Sequence, residues 1–243
     1  MIQINHLRKT YNKGRTIALE DVTLHIPAGE IFGLIGPDGA GKTTLFRLLA
    51  TLLLPDSGKA QVNGLDVVRD YRQIRRCIGY MPGRFSLYQD LTVEENFRLF
   101  GGIYGMKRRP IKEQFQRWMQ RLGMEHAAHK QVGALPLGWK QKLAFAVSIF
   151  HRPSIVFLDE PTGGVDAQTR RQFWQLIYEA AEEGITIFVT THYMDEAAYC
   201  DRVSIMVDGQ IRALDTPQRL MEQFGAADMY GVFFALARTA QRS

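Results

Sequence analysis

Apolar and polar positions alternate at the start of the chain. Ile2, Ile4 and His6 alternate with polar neighbours, and IALEDVTLHI repeats the alternation from Ile17 to Ile26. Both stretches read as strands with one face buried. EIFGLIG, from Glu30, is a continuous apolar run, the pattern of a strand covered on both faces. It leads into a glycine-rich turn and then the helical pattern TTLFRLLATLL. Short strands are expected around Ala60–Val62 and Ile78–Met81.

The period changes at Thr92, which with Glu95 forms a capping box ahead of a helix. Helical patterns dominate from there to Phe150, including IKEQFQRWMQRLGM. A helix starting near Gly138 sets Trp139, Leu143, Ala146, Val147 and Phe150 on one face. Strand and helix then alternate: SIVFLDE, a helix from Ala167 to Glu183, ITIFVTTH, a helix through Met194–Cys200, and RVSIMVDGQIRAL. A helix TPQRLMEQF and an apolar VFFALA close the chain. Alternation around buried parallel strands predicts an α/β sandwich with a helical insertion at about residues 84–150. The expected division is an α/β core of residues 1–83 and 151–215, the insertion of 84–150, and a helical tail of 216–243.

Composition changes little in this picture. The chain has 243 residues, 46% hydrophobic and 23% charged, as in ordinary globular proteins. A net charge of +5 and a pI near 9.2 suit a phosphorylated ligand, an anionic membrane surface or nucleic acid without choosing among them. The short basic clusters Arg72–Arg76, Lys107–Arg109 and Arg170–Arg171 read as solvated faces. Cys77 and Cys200 are too few for a disulfide framework or a four-cysteine metal site, and both are expected to be reduced. The apolar stretches Leu52–Leu54 and Val232–Leu236 fall far short of the roughly 20 residues that span a bilayer. MIQINHLRKTY lacks the apolar centre of a signal peptide. The expectation is a cytosolic chain unless a partner holds it at a membrane.

Two segments carry chemistry. Gly36-Pro37-Asp38-Gly39-Ala40-Gly41-Lys42-Thr43 matches G-x-x-x-x-G-K-[ST]. Glycines let the backbone wrap closely around phosphate, and the helix that follows offers free N–H groups and the positive end of its dipole. Lys42 is placed to reach the β- and γ-phosphates, and the Thr43 hydroxyl to ligate Mg²⁺. The second segment is the apolar strand Ile155–Leu158 ending in Asp159 and Glu160. Asp159 is expected to hold Mg²⁺, often through water, and Glu160 to polarise an attacking water as general base.

These residues, in this order, resemble the nucleotide-binding subunits of ATP-binding cassette transporters over essentially the whole chain. The resemblance implies a P-loop NTPase fold: a RecA-like α/β core with an antiparallel β subdomain and an inserted α-helical subdomain. It implies that Tyr11 stacks on adenine and that Gly36, Pro37, Asp38, Gly39, Ala40, Gly41, Lys42, Thr43 and Thr44 wrap the phosphates of ATP. It makes Glu160, His192 and Lys42 the catalytic set, with Thr43 and Asp159 holding Mg²⁺. Gly163-Gly164-Val165-Asp166 is similar to the loop that crosses the dimer interface. The wording GPDGAGKTT, GYMPGRFSLYQDLTVEEN and DEPTGGVD looks most like the multidrug, polysaccharide and antibiotic exporter branch, whose permeases are separate membrane proteins. The implied partners are a second nucleotide-binding subunit, identical or not, and an integral membrane permease. The implied place is the inner face of the plasma membrane.

Two positions depart from the family pattern. The helix that grips ATP on the opposite subunit usually opens Leu-Ser-Gly-Gly; here Leu135, Pro136, Leu137, Gly138 and Trp139 stand in its place. Pro136 lacks the hydroxyl and a backbone N–H, while the helix N-terminus, with the N–H groups of Gly138 and Trp139, is kept. Gly83 follows GYMP where the family usually has glutamine, and neither Arg84 nor Gln89 replaces it. Phe85, Leu87, Tyr88 and Leu91 crowd the next loop, either as a permease contact or as packing under the helical insertion.

The alternative reading is a weak or non-hydrolytic regulatory cassette in a heterodimer, favoured by Pro136, Leu137 and Gly83 and opposed by Glu160 and His192. Cassettes acting on ribosomes or DNA carry tandem cassettes or long coiled coils, so no nucleic acid is expected. The chain has no Asn-Lys-x-Asp stretch for reading guanine.

Overall fold

The computed structural model describes residues 1–83 and 86–240. A four-stranded antiparallel sheet has the order β2-β1-β4-β5, from β1 (Ile2–Tyr11), β2 (Thr16–Ile26), β4 (Ser57–Val62) and β5 (Leu65–Asp66). A six-stranded sheet has the order β10-β9-β3-β8-β7-β6. Its strands are β3 (Ile31–Ile35), β6 (Ile78–Met81), β7 (Ile155–Asp159), β8 (Thr186–Thr191), β9 (Arg202–Val207) and β10 (Gln210–Asp215). All of these run parallel except β10, which returns antiparallel on β9.

The continuous apolar runs are explained by two cores, one on each face of the six-stranded sheet. Successive side chains of a strand point to opposite faces. Ile31 and Ile35 of β3, Val156 and Leu158 of β7, and Ile187 and Val189 of β8 enter one core. Phe32 and Leu34, Ile155 and Phe157, and Phe188 enter the other. The second core also receives Ile2, Ile4, Leu7, Leu19 and Val22 from the smaller sheet, and Leu45, Phe46, Leu48 and Leu49 from α1 (Lys42–Leu49). Phe46 packs edge-on against Phe157 and Phe188, with centroids 5.5 and 4.6 Å apart. Those contacts fix the first turn of α1, and with it the glycine-rich loop, above the ends of β3 and β7.

The first core is roofed by helices. α3 (Val93–Ile103), α4 (Arg108–Leu122) and α5 (Leu137–Ile149) lie between β6 and β7 in the chain, and α6 (Ala167–Glu182) between β7 and β8. Phe97, Trp118, Phe145 and Phe173 from these four helices share that core with the sheet. The capping box at Thr92 is formed: Glu95 N–H donates to Thr92 Oγ1 at 3.2 Å and Thr92 N–H to Glu95 Oε2 at 2.8 Å. Beyond β10 lie α7 (Pro217–Phe224) and α8 (Met229–Ala240).

Several elements differ from expectation. α1 ends at Leu49 instead of running through Leu53, because Thr51 turns to φ +62° and the N–H groups of Leu52 and Leu53 both fold back to Arg47 O. Leu52 and Leu54 are left exposed. The helix α2 (Tyr71–Cys77) was not anticipated; only Ile74 of it is buried, so no apolar period marks it. Met194–Tyr199 is a 3-10 segment, not an α-helix. α5 is buried all round from Leu143 to Ile149, not along one face. Both cysteines are free, and burial pushes the Cys200 thiol far above its usual range.

Candidate active site

The loop between β3 and α1 is shaped by what it touches. A Cβ on Gly36 would lie 2.2 Å from Met206 O, and one on Gly41, which has φ +106°, 2.3 Å from Ala18 O. Only glycine allows backbone to approach that closely. Ala40 N–H donates to Pro37 O at 3.2 Å, and Gly209 N–H, from the β9–β10 turn, donates to Ala40 O at 3.0 Å. No side chain caps the N-terminus of α1, whose first N–H groups point into the loop. Lys42 is 5% exposed, and its ammonium donates to Gly36 O at 2.7 Å and to Pro37 O at 2.9 Å. It also lies 3.6 Å from Glu160 Oε1.

Asp159 ends β7, buried at 3% exposure. Its Oδ1 accepts from Thr190 Oγ1 at 2.7 Å and from Thr43 Oγ1 at 3.3 Å. Burial first, and then the charge of Asp159, raises the pKa of the neighbouring Tyr80 phenol. Thr190 does a second task. Its Oγ1 and its carbonyl both accept the N–H of Glu160, at 3.0 and 3.1 Å. That pair holds Glu160 at φ +49°, a left-handed conformation a non-glycine residue adopts only when its surroundings enforce it. The bend turns the Glu160 carboxylate back toward Lys42 and His192.

His192 Nδ1 lies 3.3 Å from Glu160 Oε2 without hydrogen-bond alignment, and it is buried with no hydrogen-bond partner among the described residues. Asp38 brings its carboxylate to the same place: ligand atoms of Asp38, Glu160 and His192 lie within 4.8 Å of one another. The cleft continues outward between the glycine-rich loop and the smaller sheet, with a volume of about 300 Å³. Tyr11 lines it, its hydroxyl 3.4 Å from Thr44 Oγ1. Thr16, Ile17 and Ala18 line it too and went unnoticed in the sequence. The β1–β2 register could have found them, since Tyr11 pairs with Thr16 and Thr10 with Ile17.

The segment at the start of α5 lies elsewhere on the surface. Pro136 is the N-cap residue, at φ −58° and ψ 151°, and no side chain caps the helix. Of the two N–H groups singled out there, that of Trp139 already donates to Pro136 O at 3.1 Å. Leu135 is buried, Leu137 is 45% exposed, and Leu137 Cδ2 is 3.5 Å from where a Cβ on Gly164 would sit. A Cβ on Gly138 would meet Thr169 Cγ2 at 2.7 Å, so α5 and the start of α6 touch closely. Asp166 caps α6, accepting from Thr169 N–H at 2.9 Å and from its hydroxyl at 2.6 Å; these bonds lower its pKa. Gly83 abuts Asp159, whose carbonyl oxygen would be 3.1 Å from an added Cβ.

The loop after Gly83 divides differently from expectation. Leu87 is buried in the first core, Tyr88 is 56% exposed, Leu91 is half-buried, and Arg84 and Phe85 lie outside the described residues. Packing therefore accounts for Leu87, and among the described residues of this loop it is Tyr88 that presents a large apolar surface to solvent.

A glycine-rich loop on a helix N-terminus, a buried lysine and a strand-end acid beside a threonine hydroxyl define a P-loop nucleotide-binding protein. Residues 19–163 match the family described as "ABC transporter", and the chain belongs to that family. It is 45% identical over 223 residues to the probable multidrug ABC transporter ATP-binding protein YbhF of Escherichia coli, which covers 92% of this chain and 38% of YbhF. It is 35% identical over 225 residues to the doxorubicin resistance ATP-binding protein DrrA of Mycobacterium tuberculosis, covering 92% of this chain and 68% of DrrA. The chain thus spans well under half the length of YbhF. A solved ATP-binding subunit of an ABC transporter superposes with a TM-score of 0.87 at 27% identity, over 98% of this chain and 99% of that one. The cassette MJ0796, solved as a dimer in a post-hydrolysis state bound to ADP and Pi, gives 0.81 at 27% identity, over 89% of this chain and 98% of that one.

Proposed function

We propose that the chain is an ATP-binding and ATP-hydrolysing subunit that powers a separate membrane permease of the export type. The observation that carries this reading is the convergence of Lys42 Nζ, 3.6 Å from Glu160 Oε1, and His192 Nδ1, 3.3 Å from Glu160 Oε2, at the inner end of the cleft. On this reading Lys42 leaves the carbonyls of Gly36 and Pro37 to meet the β- and γ-phosphates, which also accept from free backbone N–H groups of the loop and the start of α1. Tyr11 and Ile17 flank the base. Glu160 polarises water for in-line attack on the γ-phosphate, and His192 holds the γ-phosphate and water in register.

The hydroxyl of Thr43 and the carboxylate of Asp159, 3.3 Å apart, are hard oxygen donors of the kind Mg²⁺ takes. They would hold it there, where it would offset charge on the phosphates. The fit is electrostatic as well, because among the described residues the hydrogen bonds to the buried Asp159 carboxylate come from the hydroxyls of Thr43 and Thr190.

The second half of the site would come from another nucleotide-binding subunit, through Leu135–Trp139 and the Gly163–Asp166 loop. That subunit is identical or different. The permease would dock on Tyr88 and on Leu99 and Ile103 of α3, which are exposed apolar residues. No helix among the described residues is long and apolar enough to cross a membrane. On this reading it is the permease that holds the chain, peripherally, at the cytoplasmic face. The same reading divides the chain into a core of 1–83 and 151–215, a helical segment of 84–150 and a tail of 216–243. The contact between Glu160 and His192 favours hydrolysis over the non-hydrolytic alternative. A steady-state ATPase assay tests it: the Glu160→Gln variant should retain nucleotide binding and lose turnover by about a hundredfold or more. Unchanged turnover in that variant, or a parent protein that ignores ATP, overturns the reading.

A further inference from the structure

Glu196 has no exposed surface, although it is a carboxylate four positions past His192. Its Oε1 accepts from Thr162 Oγ1 at 2.6 Å, and Thr162 is 1% exposed. Arg170, on α6, brings its Nε to 3.6 Å from the same oxygen. The Arg170 guanidinium lies over the Tyr193 ring at 4.2 Å and reaches Asp195 at 3.5 Å. Tyr193 in turn packs on His192, with ring centroids 4.1 Å apart. Thr162 stands two residues past Glu160, which touches His192. With the chain itself linking Glu160 to Thr162, these contacts close a ring running Glu160, Thr162, Glu196, Arg170, Tyr193, His192.

This ring is not optimised for stability. Glu196 Oε2 and Arg170 Nε are both buried without a hydrogen-bond partner among the described residues. A buried charge costs folding free energy unless fully paired, and such groups serve best as devices that specify register. The segments joined here are the two that carry Glu160 and His192, and Arg170 adds α6, whose first turn is capped by Asp166.

We propose that Glu196 is a positioning residue for the hydrolytic step: through Thr162 and Arg170 it fixes the register between the segment bearing Glu160 and the segment bearing His192. The proposal rests on the ATPase reading above. Glu196 does not touch substrate; it sets where the two residues that do are held.

Three variants test it. Thr162→Val removes the hydroxyl at nearly constant volume, Thr162→Ser restores it, and Glu196→Gln keeps an acceptor while removing the charge. Turnover, KM, affinity for a fluorescent ATP analogue and thermal melting are measured on each. Thr162→Val and Glu196→Gln should each lower kcat about tenfold with KM and nucleotide affinity within about twofold of the parent, and Thr162→Ser should recover it. A merely structural role would lower the melting temperature and leave kcat per folded molecule unchanged, and that result overturns the proposal. A parent that does not hydrolyse ATP defeats the ATPase reading separately. The register is then read in nucleotide-free protein from the ring ¹H–¹⁵N resonances of His192. They should move in Thr162→Val and return in Thr162→Ser; resonances that stay in place overturn the proposal by themselves.

Discussion

Thr43 and Asp159, 116 residues apart in the chain, meet as hydroxyl and carboxylate at 3.3 Å. Thr190 donates to the same carboxylate oxygen at 2.7 Å and also receives the N–H of Glu160. One buried oxygen therefore ties together the glycine-rich loop, the end of β7 and the end of β8.

Asp159→Asn should uncouple nucleotide binding from Mg²⁺. ATP affinity measured with magnesium and with a chelator should differ in the parent and converge in the variant. Thr190→Val leaves that carboxylate with a single hydroxyl donor and Glu160 N–H with one acceptor fewer. Loss of a hydrogen bond to a charged group costs about 1.5–3 kcal/mol, so a fall of that size is expected in urea unfolding.

The start of α5 invites a gain-of-function test. Pro136 supplies neither hydroxyl nor N–H, and Leu137 stands half-exposed beside Gly164. Pro136→Ser combined with Leu137→Gly supplies both a hydroxyl and a backbone N–H and clears the surface. Turnover of the paired subunits should rise about tenfold, the worth of a weak charged hydrogen bond, while ATP affinity of the dilute single subunit stays constant.

Two glycines give contrasting outcomes. Gly36→Ala drives a Cβ to 2.2 Å from the backbone oxygen of Met206, so the loop must shift and ATP binding should be lost. Gly83→Gln puts its Cβ at 3.1 Å from Asp159 O, a contact relieved by a few tenths of an ångström. The protein should fold with a small drop in melting temperature, and any change in turnover reports directly on the restored amide.

His151 predicts a pH dependence of stability. Its ring stacks on Tyr104 at 3.6 Å and bonds Ile78 O, and burial lowers its pKa from 6.5 to about 4. The unfolded chain takes up the proton below pH 6.5 while the folded chain remains neutral until about 4. Stability should therefore fall as pH drops through that window, by at most about 1.4 kcal/mol per pH unit, and level off below it. His151→Leu should flatten this part of the profile in urea titrations between pH 7 and pH 4.

Legibility followed the range of the interactions. The buried strands β3, β7 and β8 were evident because both faces are covered, and a doubly buried strand can only be apolar throughout. α2 was not, since one buried residue among seven leaves no period to detect. Leu87 and Tyr88 are neighbours in a loop without periodicity, so nothing local could say that one is core and the other surface. Thr190 had a faint signal, as a polar residue closing an apolar strand, but its two hydrogen bonds run to residues some 30 positions away.

The sequence alone determined the glycine-rich loop, the strand-end acids and the alternation that makes the α/β core, because each depends on backbone freedom or burial within a few residues. Only the tertiary structure decided that Lys42, Glu160 and His192 share one end of a cleft, that Thr190 bends Glu160 toward them, and that Glu196 is sealed against Thr162 and Arg170. Those relations are distances between segments far apart in the chain. They come into being only when two cores on opposite faces of one sheet set the height of each strand end.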